Sequence, residues 1–144
     1  MKPVPQPGLL QAFLATDYQM RVGSQWQTLP APGNTSDRRL WLPATLGTDD
    51  LALIIADNPR AEQQPERNNR RARWQLRRWV RTHQTRLARA YPHGDWPVEH
   101  GLLIAGLRRV RAQRLARRLE QRAWLYYWRR ADGRYQAELN WLEY

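Results

Sequence analysis

Cysteine does not occur in this sequence, which excludes disulfides, thiolate metal sites and a cysteine nucleophile and fits a reducing compartment. Serine is nearly as scarce: Ser24 and Ser36 are the only two, and neither sits in a nucleophile-elbow context. A Gly-rich phosphate loop is also missing, because Gly101 and Gly106 flank an apolar run rather than open a helix. His83, His93 and His100 lack the paired spacing of metal ligands, so neither a metal nor a cofactor is expected. No apolar run approaches the ~18 residues of a spanning helix. The stretch Leu9 to Leu14, broken by Gln11, is too short for the apolar region of a signal peptide. The expectation is a cytoplasmic protein without a transmembrane segment. Its 144 residues suit one domain over 1–144, with residues 1–8 as a flexible tail.

What the chain has in excess is arginine. The formal net charge is +11, and all but one of the 24 basic residues are arginine. The charge is unevenly placed: between Arg67 and Arg130 eighteen arginines face three acids, Asp95, Glu99 and Glu120, while the two ends together hold six bases and ten acids. A local positive field favours anionic partners: RNA or DNA first, then an acidic protein. A solvated helix face written in GC-rich codons would carry the same arginines, so charge alone names no partner.

Leu9 to Thr16 reads as a short helix and Tyr18 to Val22 alternates as a strand. Turn-formers from Pro30 to Ser36 precede a short edge piece, Leu40-Trp41-Leu42. Leu51 to Ala56 has the pattern of a strand buried on both faces, ended by Asp57-Asn58-Pro59. Pro65-Glu66 starts a helix to about His83, with Asn69, Ala72, Leu76, Trp79, Val80 and His83 inward and Trp74 outward among arginines. Leu87 to Tyr91 and Gly101 to Leu107 read as strands, Arg108 to Gln121 as a helix, and Ala123 to Trp128 with Tyr135 to Leu142 as a hairpin around Asp132-Gly133. The fold expected is α+β: one mixed sheet with about three helices packed on it and a C-terminal hairpin.

Two groups of residues are candidates for function. Asn58, Asn69, Glu99 and Gln121 each sit where an element begins or ends, and could line a small-molecule or catalytic pocket with Glu99 as its acid or base. The same residues suit the bland work of satisfying loop backbone groups, and Glu99 could pair with an arginine. The outward helix face of Arg67, Arg70, Arg71, Trp74, Arg77, Arg78 and Arg81 suits a polyanion, with Trp74 available for a base stack. A third reading is an adaptor that docks an acidic protein, using the basic face or the Tyr126 to Arg130 strand as an edge.

The strand ending in Asn58-Pro59, the Pro65-Glu66 helix start with Asn69 and Leu76, Trp96 with Glu99 three later, and the Gln121-x-Ala123 step occur in an order that resembles a bacterial family, domain of unknown function 3293. The likeness spans about residues 9 to 128 and implies a shared fold, with no established activity or catalytic residues attached. Two positions depart from the pattern: Asp57 stands where tryptophan is expected and Gly101 where serine is expected.

Overall fold

A computed structural model describes residues 7–32 and 50–144. The elements run α1 (Pro7–Leu14), β1 (Asp17–Val22), β2 (Gln25–Thr28), β3 (Asp50–Ile55), α2 (Glu66–Trp79), β4 (Thr85–Tyr91), β5 (Glu99–Ala105), α3 (Arg109–Arg118), β6 (Ala123–Arg129) and β7 (Tyr135–Trp141). The strands form one sheet in the order β2-β1-β4-β5-β3-β6-β7, so the α+β architecture with three helices and a C-terminal strand pair is present.

Every strand pairing among the described residues is antiparallel, which corrects the expected mixed sheet. The connections explain why. α2 joins β3 to β4 and α3 joins β5 to β6, and each crossover links strands of like direction. Each leaves a gap one strand wide, however, and a strand of opposite direction fills it: β5 lies between β3 and β4, and β3 lies between β5 and β6. An apolar run reads the same whichever neighbour it gains, so the sequence alone does not distinguish these arrangements.

β3 is buried on both faces, as its unbroken Leu51 to Ala56 run predicts. Ala52 and Ile54 pack with Leu76 and Val80 of the α2 segment and with Ala112, Leu115, Ala116 and Leu119 on and beside α3. Leu51, Leu53 and Ile55 face the other way, into a cluster with Tyr18, Met20, Leu103, Leu125 and Tyr127. The 3.6-residue period of α2 places Asn69 and Leu76 inward and leaves Trp74 half exposed. Gly101 lies where β5 crosses β3 so closely that a Cβ would overlap the Ile54 carbonyl; glycine is required by contact, not by its dihedrals.

Several boundaries shift. α2 stops at Trp79 rather than His83, with Arg111 Nη2 donating to the Trp79 carbonyl at 2.8 Å. α3 ends at Arg118, short of Gln121, and β5 begins at Glu99, so Glu99 is inside the strand rather than before it. β2 follows a Gly23 turn at φ 61° and adds a strand that the sequence does not signal. α1 starts at Pro7, inside the expected 1–8 tail; residues 1–6 and the expected Leu40-Trp41-Leu42 strand lie outside the described residues. The β6–β7 hairpin turns at Gly133, φ 82°, with the Arg134 amide bonded to Asp132 Oδ1.

Candidate functional site

The antiparallel arrangement puts the C-terminal end of β3 beside the N-terminal ends of β5 and β6, since Ile55 is paired with Gly101 and Leu53 with Leu125. The turn Asp57-Asn58 therefore meets Glu99 and Gln121 at one sheet edge, and α2 brings Asn69 from above. Asn58 is left-handed, φ 52°, a conformation asparagine tolerates better than most residues. Its amide donates to Asn69 Oδ1 at 2.9 Å, and its Oδ1 accepts from Asn69 Nδ2 at 3.0 Å and the Gln64 amide at 2.9 Å. Gln121 Nε2 donates to the Asp57 carbonyl at 2.9 Å. All four sequence candidates converge, and three of them, Asn58, Asn69 and Gln121, are buried and bonded to the turn itself.

Gln121 is aimed by the way α3 ends. Glu120 is left-handed, φ 53°, its amide bonds to the Arg117 carbonyl and the Gln121 amide to the Ala116 carbonyl, which is the two-bond helix stop usually built on glycine. Asn58, Arg60, Ala61 and Glu120, the non-glycine residues of positive φ among those described, all cluster here, and Arg60 ties the two segments through its amide to the Glu120 carbonyl at 2.6 Å.

Asp57 and Arg73 complete the knot. Asp57 is buried, accepts from Arg73 Nε at 2.7 Å and from the His100 amide at 2.9 Å, and Arg73 reaches Glu66 as well at 2.8 Å. The sequence carried a clue to Arg73, which lies four residues after inward Asn69 and so on the same helix stripe. Charge alone hides it among the outward arginines of the same helix.

Glu99 differs from its neighbours. Desolvation pushes its carboxyl up to about 7; hydrogen bonds from Asn58 and Trp96 pull the other way, and the Asp57 charge adds to the rise. Among the described residues no arginine pairs with it, so the expected alternative of an arginine partner does not hold. The carboxyl borders a cavity of about 250 Å³ between α1 and the 92–96 turn. His83 is structural: Nδ1 donates to the Ala105 carbonyl at 3.0 Å and Nε2 faces Arg111. No group of three or more His, Asp or Glu able to hold a metal occurs among the described residues.

The basic surface is broader than one helix. α2 and α3 pack on the same sheet face, joined where Arg118 lies 4.9 Å from the centre of the Trp79 ring. Arg67, Arg70, Arg71, Arg77, Arg78 and Arg81 are exposed, and among the described residues none pairs with a carboxylate. Arg78 stacks on exposed Trp74 at 4.8 Å. Beside α2 the sheet face of β4, β1 and β2 carries Leu87 and Tyr91, both about 40% exposed, and Trp26 with Arg89 at 4.2 Å from its ring centre. A cleft of about 230 Å³ runs between them, where Arg21, Trp26 and Leu87 face Arg73 and Arg77. Trp26, Arg21 and Arg89 escaped the sequence reading because β2 is too short to show a period and the strands' order is invisible in sequence.

No helix among the described residues is long and apolar enough to cross a membrane. No curated protein and no solved structure matches the chain. A family model does: residues 54–124, from within β3 to the start of β6 and including Asn58, Asn69, Glu99 and Gln121, match the family described as Protein of unknown function (DUF3293), and over that stretch the chain resembles this family.

Proposed function

We propose that the protein binds single-stranded nucleic acid along α2 and the neighbouring face of β4, β1 and β2. The observation that carries this reading is the meeting of uncompensated arginines with the exposed ring of Trp74 and the half-buried ring of Trp26 on one continuous surface. Arg67, Arg70, Arg71, Arg77, Arg78 and Arg81 supply phosphate contacts, while Trp74 and Trp26, each overlaid by an arginine, supply flat faces on which a base can stack. A duplex offers no free base faces, so the aromatic half of the surface favours an unpaired strand. The cleft between α2 and β4 widens the reach of a bound strand from phosphates on the helix to a base or sugar beside Trp26.

The test is polarisation of labelled single-stranded RNA, single-stranded DNA and duplex DNA. Single strands are expected to bind more tightly than duplex, and Trp26→Ala is expected to weaken their binding by about 5- to 160-fold, the range of one lost base stack of ~1–3 kcal/mol. Equal affinity for single strand and duplex, untouched by Trp26→Ala and Trp74→Ala, contradicts the reading. A salt-sensitive complex with an acidic protein, and none with nucleic acid, would transfer the surface to an adaptor role.

A further inference from the structure

The cavity beside Glu99 has a chemistry opposite to that of the rest of the molecule. Its walls are Leu9, Ala12 and Phe13 of α1 together with Pro92 and Trp96 of the turn before β5, and its polar groups are acidic: Glu99 at its floor and Asp95 at its rim. Among the described residues no arginine lines it, in a protein of net charge +11. The cations nearest to it already have partners, since Arg73 is held by Asp57 and Glu66. Asp57 lies close enough to act on Glu99, and His93 is held by Asp17 at 2.9 Å, so the one basic ring at the mouth already has a carboxylate partner. The two donors that reach the Glu99 carboxyl, the Asn58 amide and the Trp96 indole, are neutral. Asn58 cannot turn away, because its Oδ1 is fixed by Asn69 and Gln64. Among the described residues the site is thus a held carboxyl without a counter-charge, open to a largely apolar hollow.

We infer that this cavity binds a small organic amine, its ammonium group paired with Glu99 and its apolar body lying between Phe13 and Trp96. An ammonium supplies the charge that the surrounding protein withholds, and partial desolvation makes that pairing stronger than it is in water. The Trp96 ring, 37% exposed, offers a face for the cation, and α1 offers apolar contact for the body. A neutral molecule of the same shape gains only the apolar part, and an anion meets the carboxylates of Glu99 and Asp95. The site is separate from the α2 surface and stands or falls independently of nucleic-acid binding.

Titration calorimetry of the full chain with benzylamine, benzyl alcohol and benzoate tests this. Benzylamine is expected to bind about tenfold or more tightly than benzyl alcohol, with no binding of benzoate. Glu99→Gln is expected to lower benzylamine affinity by about tenfold or more and leave benzyl alcohol unchanged. Ala12→Trp, which fills the hollow from the exposed side of α1 and leaves Glu99 and its donors in place, is expected to abolish binding of both; it keeps the test valid if Glu99→Gln does not fold. Benzylamine that fails to bind, that binds no better than benzyl alcohol, or that binds Glu99→Gln or Ala12→Trp as well as the native chain overturns the inference.

Discussion

Glu99 and Asp57 are two carboxylates at one sheet edge with opposite fates. Asp57 has a guanidinium and a backbone amide on its two oxygens, and Arg73 keeps 26% of its side-chain surface exposed while holding it. Removing Arg73 leaves a buried charge unpaired. Arg73→Ala is therefore expected to cost about 2–4 kcal/mol in urea unfolding, below the ~3–5 of a fully enclosed pair because water can replace part of the guanidinium. Glu99 has neutral donors and a folded pKa of about 7 against an ordinary 4.5. Between those two values the folded protein retains a proton that the unfolded chain releases, so stability is fully present below about pH 4.5 and falls as the pH rises towards about 7. Glu99→Gln lacks this loss. Its melting temperature relative to the native chain is expected to climb by a few degrees between about pH 4.5 and about pH 8, on the order of 1–2 kcal/mol after allowing for partial solvent access. A difference that stays constant across that range means that Glu99 is not desolvated. The sequence marked Glu99 by position and missed Asp57 and Arg73, because a carboxylate and an arginine sixteen residues apart reveal a pair only once the turn and the helix are placed.

At the scale of elements, the apolar runs and periods did most of their work locally. The unbroken β3, the stripe of α2 and the hairpin at Gly133 are where a continuous apolar run, the 3.6-residue period and turn chemistry put them. Which strands pair was not legible, since the two crossovers each enclose a strand that comes from elsewhere in the chain. That topology, and not any motif, carries Asn58, Glu99 and Gln121 to one end of the central strands and places β1 and β2 on the α2 side of β4. It also explains why glycine replaces the expected serine at position 101: β3 and β5 approach too closely there for a side chain. Gly101→Ala is expected to destabilise the fold by roughly 1–3 kcal/mol, since the Ile54 backbone cannot give way as a flexible side chain could. A variant that melts with the native protein contradicts the close approach. On α2, Trp74→Ala is expected to weaken single-stranded RNA binding by about 5- to 160-fold without altering stability by more than ~0.5 kcal/mol, because the ring is half exposed.

For the whole molecule, the charge map has two parts. Of the eighteen arginines between Arg67 and Arg130, eleven lie in α2 and α3, two helices that share one face of the sheet, while Asp57 and Glu99 meet at the end of the central strands β3 and β5. Charge excess was plain in the sequence; that it joins exposed aromatic rings into one surface was not, because Trp26 and Arg89 come from strands far from α2 in sequence. The central claim is that this surface binds a single strand through several phosphates. The most direct measurement is the affinity of labelled single-stranded RNA across a salt series, for the native chain and for Arg70→Ala/Arg77→Ala. The account predicts a linear fall of log affinity with log salt at about −0.7 per neutralised phosphate, steep enough for several phosphates and shallower in the double variant by one to two of them. An affinity that is absent at physiological salt, or a slope that the double variant leaves unchanged, contradicts it.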